Sequence, residues 1–240
     1  MANLTLTAPR NTWIPWAQWL AVTAMTLEHA ARFLLPEVHA LTPWALLIGR
    51  TALPLFAAMV AWHAVHNTRD PLGYALRLLL IAVIAQLPFA LVTDSDKLNI
   101  VFTLALGLLL AVPLVRSDRL TVTLALVFAT AATLAAPSIE YGVPGLLLVP
   151  AFALAFQPAP APWRPFLAIP TALVAFHLNP ALVLNLVSLA TALGLAYLLA
   201  RGSGHLATRI APMPRPLWLT WYPLHFVVIA LLQALTFPPS

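Results

Sequence analysis

The chain has 240 residues, 62% of them hydrophobic and only 8% charged, with a net charge of +5 and a mean hydropathy of +0.92. A soluble domain carries about a quarter charged residues, so these figures exclude an ordinary soluble enzyme. They point to one all-α domain over 1–240, a polytopic bundle of transmembrane helices in a lipid bilayer. The charge is small and spread over loops, so no nucleic acid is expected as a partner. The absence of cysteine excludes a disulfide, a thiolate nucleophile and a cysteine metal site.

At roughly 20 residues per crossing, the apolar runs predict nine spans: 14–35, 43–65, 72–92, 98–115, 119–136, 142–157, 163–178, 180–200 and 217–236. The first thirteen residues lack a short apolar core with a small-residue cleavage site, so the first span is expected to remain as an anchor. Proline beside polar residues at Pro36, Pro43, Pro71, Pro180 and Pro212–Pro216 marks the breaks. The 142–157 run is short and holds Pro144 and Pro150, so it either spans, tilts or re-enters. Nine of the twelve Lys and Arg fall on one side of this arrangement: Arg10, Arg69, Arg77, Arg116, Arg119, Arg164, Arg201, Arg209 and Arg215. The positive-inside bias then puts the N-terminus in the cytoplasm and the C-terminus outside. Most of the buried polar residues gather towards the non-cytoplasmic half.

The first span carries Glu28-His29 in a run too apolar for water. A central charge costs about 2.5–3.5 kcal/mol on insertion scales unless it is paired or wetted. Neighbours on a helix point about 100° apart, so the two need not form a dyad. Glu28 has Arg32 at i+4 as a local counter-ion. His29 is either a core imidazole bonded to a carbonyl or a general base. In the second span, Arg50 is either the counter-ion of Glu28 or Glu140, or a group that binds phosphate or a developing oxyanion.

At the end of that span, His63 and His66 share a helix face, but two imidazoles without a third ligand are a weak metal signal, and no metal is expected. Asn99 and Thr103 lie one turn apart on the fourth span, either joining helices or touching a substrate. Glu140 is a carboxylate at an outer turn. In the last span, Pro223 kinks the helix just before His225, which suggests a lining position.

Several strings, in this order, resemble the TraX family of integral membrane proteins. They are Glu28-His29, Gly49-Arg50-Thr51 with Pro54 and Phe56, Asn67-Thr68-Arg69, Gln86-Leu87-Pro88-Phe89, Leu98-Asn99 with Phe102-Thr103, Glu140-Tyr141-Gly142 and Trp221-Tyr222-Pro223-Leu224-His225. The resemblance covers most of the chain and is strongest over 25–110 and 217–230. It implies an acetyltransferase of the bacterial inner membrane that uses acetyl-CoA and acetylates the N-terminal amine of a pilin subunit or another secreted acceptor. The family pattern has Asp where this chain has Glu28 and Glu140, and Lys where it has Gln18.

On that reading, His29 takes the acceptor's proton or briefly carries the acetyl group. Arg50 or Asn99 stabilises the oxyanion, Glu28 or Glu140 orients the imidazole or holds the acceptor ammonium, and His225 completes the site. Arg69, Arg77 and Tyr222 are the expected contacts of CoA, with the loop bearing Arg201, Arg209 and Arg215 a further candidate. An O-acyltransferase of a surface glycan, and a non-enzymatic pilus-assembly factor or transporter, are the rival readings.

Overall fold

In a computed structural model that describes residues 12–36, 38–116, 118–200 and 210–236, the chain is helical throughout, and the described residues hold no strand beyond one isolated bridge. Helices α1 (Ile14–Leu34), α2 (Thr42–Gly49), α3 (Ala52–Trp62), α4 (Pro71–Thr93) and α5 (Ile100–Val115) form the first half. Helices α6 (Arg119–Ala135), α7 (Gly142–Ala155), α8 (Arg164–Ala175), α9 (Leu182–Ala200) and α10 (Arg215–Thr236) complete it. Arg10, Glu37, Arg201 and Arg209 lie outside the described residues.

The starts of these helices are written locally. Proline occupies the first turn of α1, α2, α4 and α8, where its missing N–H costs nothing. Three polar caps take up free amides: Asp70 accepts from Gly73 at 2.8 Å, Asn99 from Val101 at 3.0 Å and Asp118 from Thr121 at 2.9 Å. Pro43 and Pro71, expected at breaks between spans, open α2 and α4.

The second predicted span is not one continuous helix. It breaks at Arg50–Thr51 between α2 and α3, and α3 runs on into a π-turn at His63–Asn67. Pro54 has no N–H for the Arg50 carbonyl four residues back, and the Ser188 hydroxyl of α9 donates to that carbonyl instead, at 3.3 Å.

Five stretches are long and apolar enough to cross a bilayer: Thr42–Asn67, Pro71–Thr93, Arg119–Ser138, Leu182–Leu199 and Arg215–Thr236. α5, α7 and α8 are apolar but shorter. α1 has the length, at 21 residues, but Gln18, Glu28, His29 and Arg32 dilute its hydropathy. The 14-residue α7 is about 21 Å long, less than the ~30 Å hydrocarbon core. It runs unbroken through Pro150 and sits in the middle of the molecule, with Leu148, Val149, Phe152 and Ala153 fully buried, so protein covers the side where Pro150 leaves a carbonyl without its helical partner. The outer faces are apolar: Leu76, Leu80, Val83, Leu87 and Leu91 follow one side of α4 and are all exposed. Such a stripe is stable with lipid as the solvent. The protein is a multi-pass helical membrane protein.

Helices α1 and α10 run side by side in the same direction. Gln18 accepts from the Met213 amide at 3.2 Å, Trp221 donates to Thr26 at 2.8 Å, and Gln233 donates to the Phe33 carbonyl at 3.1 Å. Partner numbers rise together along both helices, which defines a parallel pair. This pair carries the two histidines.

Candidate functional site

His29 and His225 meet in the α1–α10 seam. His29 Nδ1 lies 2.8 Å from His225 Nε2, with the ring planes 10° apart. His225 Nδ1 is 3.0 Å from the Trp221 carbonyl, which can only accept, so Nδ1 carries the proton. In the neutral pair, His225 Nε2 is therefore the acceptor and His29 Nδ1 the donor. His29 Nε2 keeps its lone pair and has no hydrogen-bond partner among the described residues. Phe226, with its centroid 4.9 Å away, packs against the His29 ring. These bonds fix both tautomers and leave His29 Nε2 as a hydrogen-bond acceptor.

Glu28 turns the other way. It pairs with Arg50, not with Arg32 at i+4; both side chains are buried. Arg32 is exposed and lies 5.5 Å over the Phe33 ring. Glu28 fits because residue 49 is glycine: a Cβ there would stand 2.6 Å from Glu28 Cβ and Cδ. Arg50 Nη1 donates to the Tyr141 hydroxyl at 2.9 Å and to Asn179 Oδ1 at 3.1 Å. Asn179 Nδ2 donates in turn to Ser188 Oγ at 3.1 Å, and Asn185 Nδ2 to the Asn179 carbonyl at 2.8 Å. Arg50 thus ties α1, α7 and the segment before α9 together behind the site. Tyr141 and its three network partners Asn179, Asn185 and Ser188 were not among the residues singled out from sequence as the site. The signal available was three polar residues, two of them three apart, in an apolar run.

Glu140 is held at the turn before α7. Leu98 N donates to the Ser138 carbonyl at 2.7 Å, and Glu140 N to the Leu98 carbonyl at 3.1 Å. Thr103 donates to the Glu140 carbonyl at 3.0 Å. Tyr141 and Gly142 follow with φ of 62° and 52°, the left-handed region that glycine enters freely and tyrosine does not. Burial pushes the Glu140 carboxyl up to about 7, against the opposing pull of Arg32, Arg50 and Lys97.

Asn99 points elsewhere. Its Nδ2 donates to the Ala82 carbonyl at 2.8 Å and to Gln86 Oε1 at 2.9 Å, while its Oδ1 caps α5. Its side chain joins α4 to α5 and lines neither cavity described below.

Two cavities lie near the histidine pair, and His29 lines the smaller one. The smaller, about 40 Å³, is lined by Glu28, His29, Gly49, Glu140 and Tyr141 among others. So His29, Glu28 and Glu140 come together there, His225 stands behind His29, and Arg50 stands behind Glu28. The larger, about 480 Å³, lies between α1, α3, α4, α5 and α10. Its lining runs from Gln18 to Met25 on α1, from Asn67 to Phe56 on α3 and from Arg215 to Tyr222 on α10, about 10–16 Å along each helix. Arg77 and Arg215, both exposed, stand at its polar end with His63, Asn67 and Thr68. Tyr222 stands at its apolar end, and its buried hydroxyl has no hydrogen-bond partner among the described residues. Arg69 lies outside the cavity lining, at the adjoining turn, where its carbonyl accepts from Arg116 at 2.7 Å. His63 bonds to Asn67 at 2.9 Å, and the His66 ring packs tilted against Trp62 with centroids 4.2 Å apart. The described residues contain no group of three or more side chains able to hold a metal.

A multi-pass helical protein with a membrane-embedded histidine pair beside a small cavity, which a larger one adjoins, is the class these features define. The family model described as TraX protein matches residues 16–233, and the chain belongs to that family. No curated protein and no solved structure gives a significant match.

Proposed function

We propose that this protein is an acetyltransferase of the bacterial inner membrane. It moves an acetyl group from acetyl-CoA to the N-terminal amine of a pilin or a similar secreted acceptor. The observation that carries the reading is the free Nε2 of His29, its tautomer set by His225, on a residue that lines the small cavity adjoining a much larger, arginine-rimmed one.

The larger cavity suits the donor. Arg77 and Arg215 offer charge to the CoA phosphates, the apolar walls take the thiol-bearing arm, and the unpartnered Tyr222 hydroxyl offers a hydrogen bond to the polar groups of that arm. Arg69 adds positive charge at the adjoining turn. In the transfer, the amine lone pair attacks the thioester carbon, so a C–N bond forms as the C–S bond breaks. The amine proton passes to His29 Nε2 and then to the departing thiolate. General-base help of this kind is worth roughly 10²–10⁴-fold. Glu28 and Glu140 line the acceptor's side, and Glu140, ionised above about 7, is the carboxylate that suits an ammonium. Arg50 and Asn99 are positioning residues, since both Nη atoms of Arg50 and the whole amide of Asn99 are taken up by neighbouring groups.

Nine crossings with the N-terminus in the cytoplasm are part of this reading. The parallel α1–α10 pair supports them, because two parallel spans need an even number of reversals between them. The basic residues support the orientation. The Arg77–Arg215 rim then faces the cytoplasm, where acetyl-CoA is made.

Intact-mass analysis of secreted pilins from cells with and without the gene tests the acceptor. Loss of one acetyl group from an N-terminal amine is expected in the deletion. Unchanged pilins with a deacetylated surface glycan would favour the O-acyltransferase. Unchanged pilins and glycans, with no CoA binding by the purified protein, would favour a non-enzymatic role.

A further inference from the structure

We infer that Met25, Phe56 and Ile100 form a septum that sets the length of the acyl group this protein transfers. The inference rests on the acyltransferase reading and deepens it, naming the side chains that select the donor.

These three side chains line both cavities. They come from three elements: Met25 from α1, Phe56 from α3 and Ile100 from the first turn of α5. The larger cavity runs up to them from the Arg77–Arg215 rim. His29 lines only the smaller one, a single helical turn beyond Met25. A thioester held in the larger cavity therefore reaches His29 only by passing its acyl end between these side chains.

The space beyond the septum is small. It measures about 40 Å³, and roughly 10–15 Å³ of such space holds one water. It therefore admits about three heavy atoms. An acetyl group has three, two carbons and an oxygen; each further methylene has to be placed on the open side of this space, where the acceptor approaches. The walls are also firm. Phe56 packs on Trp218 with centroids 5.7 Å apart. Ile100 follows Asn99, whose cap and bonds to α4 fix the start of α5. Met25 is the one flexible member. None of the three carries a proton or a charge, so they act through shape, and their substitution changes selectivity rather than the chemical step.

The test is turnover of acetyl-, propionyl- and butyryl-CoA by the full chain in detergent. Wild type is compared with Phe56→Ala, Phe56→Leu and Ile100→Val, and with Leu87→Ala on the lipid-facing side as a control. One surplus methylene in an apolar pocket is worth roughly 10–200-fold in kcat/KM. Wild type is expected to use propionyl-CoA at least about tenfold less well than acetyl-CoA. Phe56→Ala is expected to raise the propionyl-to-acetyl ratio by about tenfold, with the Leu and Val variants moving it in the same direction and the control leaving it alone. The conservative variants keep the test decisive if the alanine variant fails to fold. Equal use of butyryl-CoA by wild type, or an unchanged ratio in folded septum variants, overturns the septum while leaving the acyltransferase intact. No turnover of any acyl-CoA by wild type overturns both.

Discussion

Glu28 and His29 are adjacent in the chain and separate in their tasks. The turn of about 100° between helical neighbours sends one to Arg50 and the other to His225. Sequence left two partners open for Glu28 and two roles for Arg50; the helix-local partner Arg32 loses because it faces outward. That choice was not legible, since nothing in a single chain says which helix packs against α1. Gly49 was the available clue, a missing side chain beside an arginine. Removing one member of a buried ion pair costs about 3–5 kcal/mol because the other charge is left alone. Arg50→Met is therefore expected to lower thermal stability in detergent strongly, and Glu28→Gln with Arg50→Met to recover part of the loss. A double variant no more stable than the single one would contradict the pairing.

Glu140 gives a pH signature at the same scale. Its folded value, about 7, lies above its ordinary one, so the folded state favours the protonated acid. Its contribution to stability is complete below the ordinary carboxylate range and is lost as pH rises through about 7. Unfolding measured at pH 5 and pH 8 should show a smaller loss on raising pH in Glu140→Gln than in wild type; equal losses would contradict the assignment.

Helices occupy each of the nine apolar stretches within a few residues of their expected ends, because proline, Asp70, Asn99 and Asp118 punctuate them locally. The break at Arg50–Thr51 was missed, although Pro54 announces it by withholding an N–H. The bond that repairs it comes from Ser188, more than a hundred residues away. Ser188→Ala leaves the Arg50 carbonyl and the Asn179 amide each short of a partner, and a buried unpaired polar group costs about 1–3 kcal/mol. A clear fall in the unfolding midpoint is expected; no change would mean the break is held by other contacts. The parallel seam has its own test in a chain free of cysteine. Cysteines paired at 18 with 213, and at 33 with 233, should cross-link under mild oxidation. The exchanged pairs 18 with 233 and 33 with 213 should not, and their cross-linking would contradict the parallel arrangement.

At the scale of the molecule, the site consists of two cavities and the wall between them. Neither cavity was legible, since their linings draw on five helices and on apolar residues that read as ordinary core. The histidines were legible because a polar residue in an apolar run must have a reason. On the acyltransferase proposal, the basic-rimmed cavity holds the donor and His29 acts from the small one. The proposal's central claim is that His29 is the base of an acetyl transfer. The most direct measurement is acetyl-CoA turnover by wild type beside His29→Ala and His225→Ala, with CoA binding followed in parallel. The account predicts a loss of about 10²–10⁴-fold in His29→Ala, a smaller loss in His225→Ala, and CoA binding kept in both. Turnover unchanged by His29→Ala would contradict it.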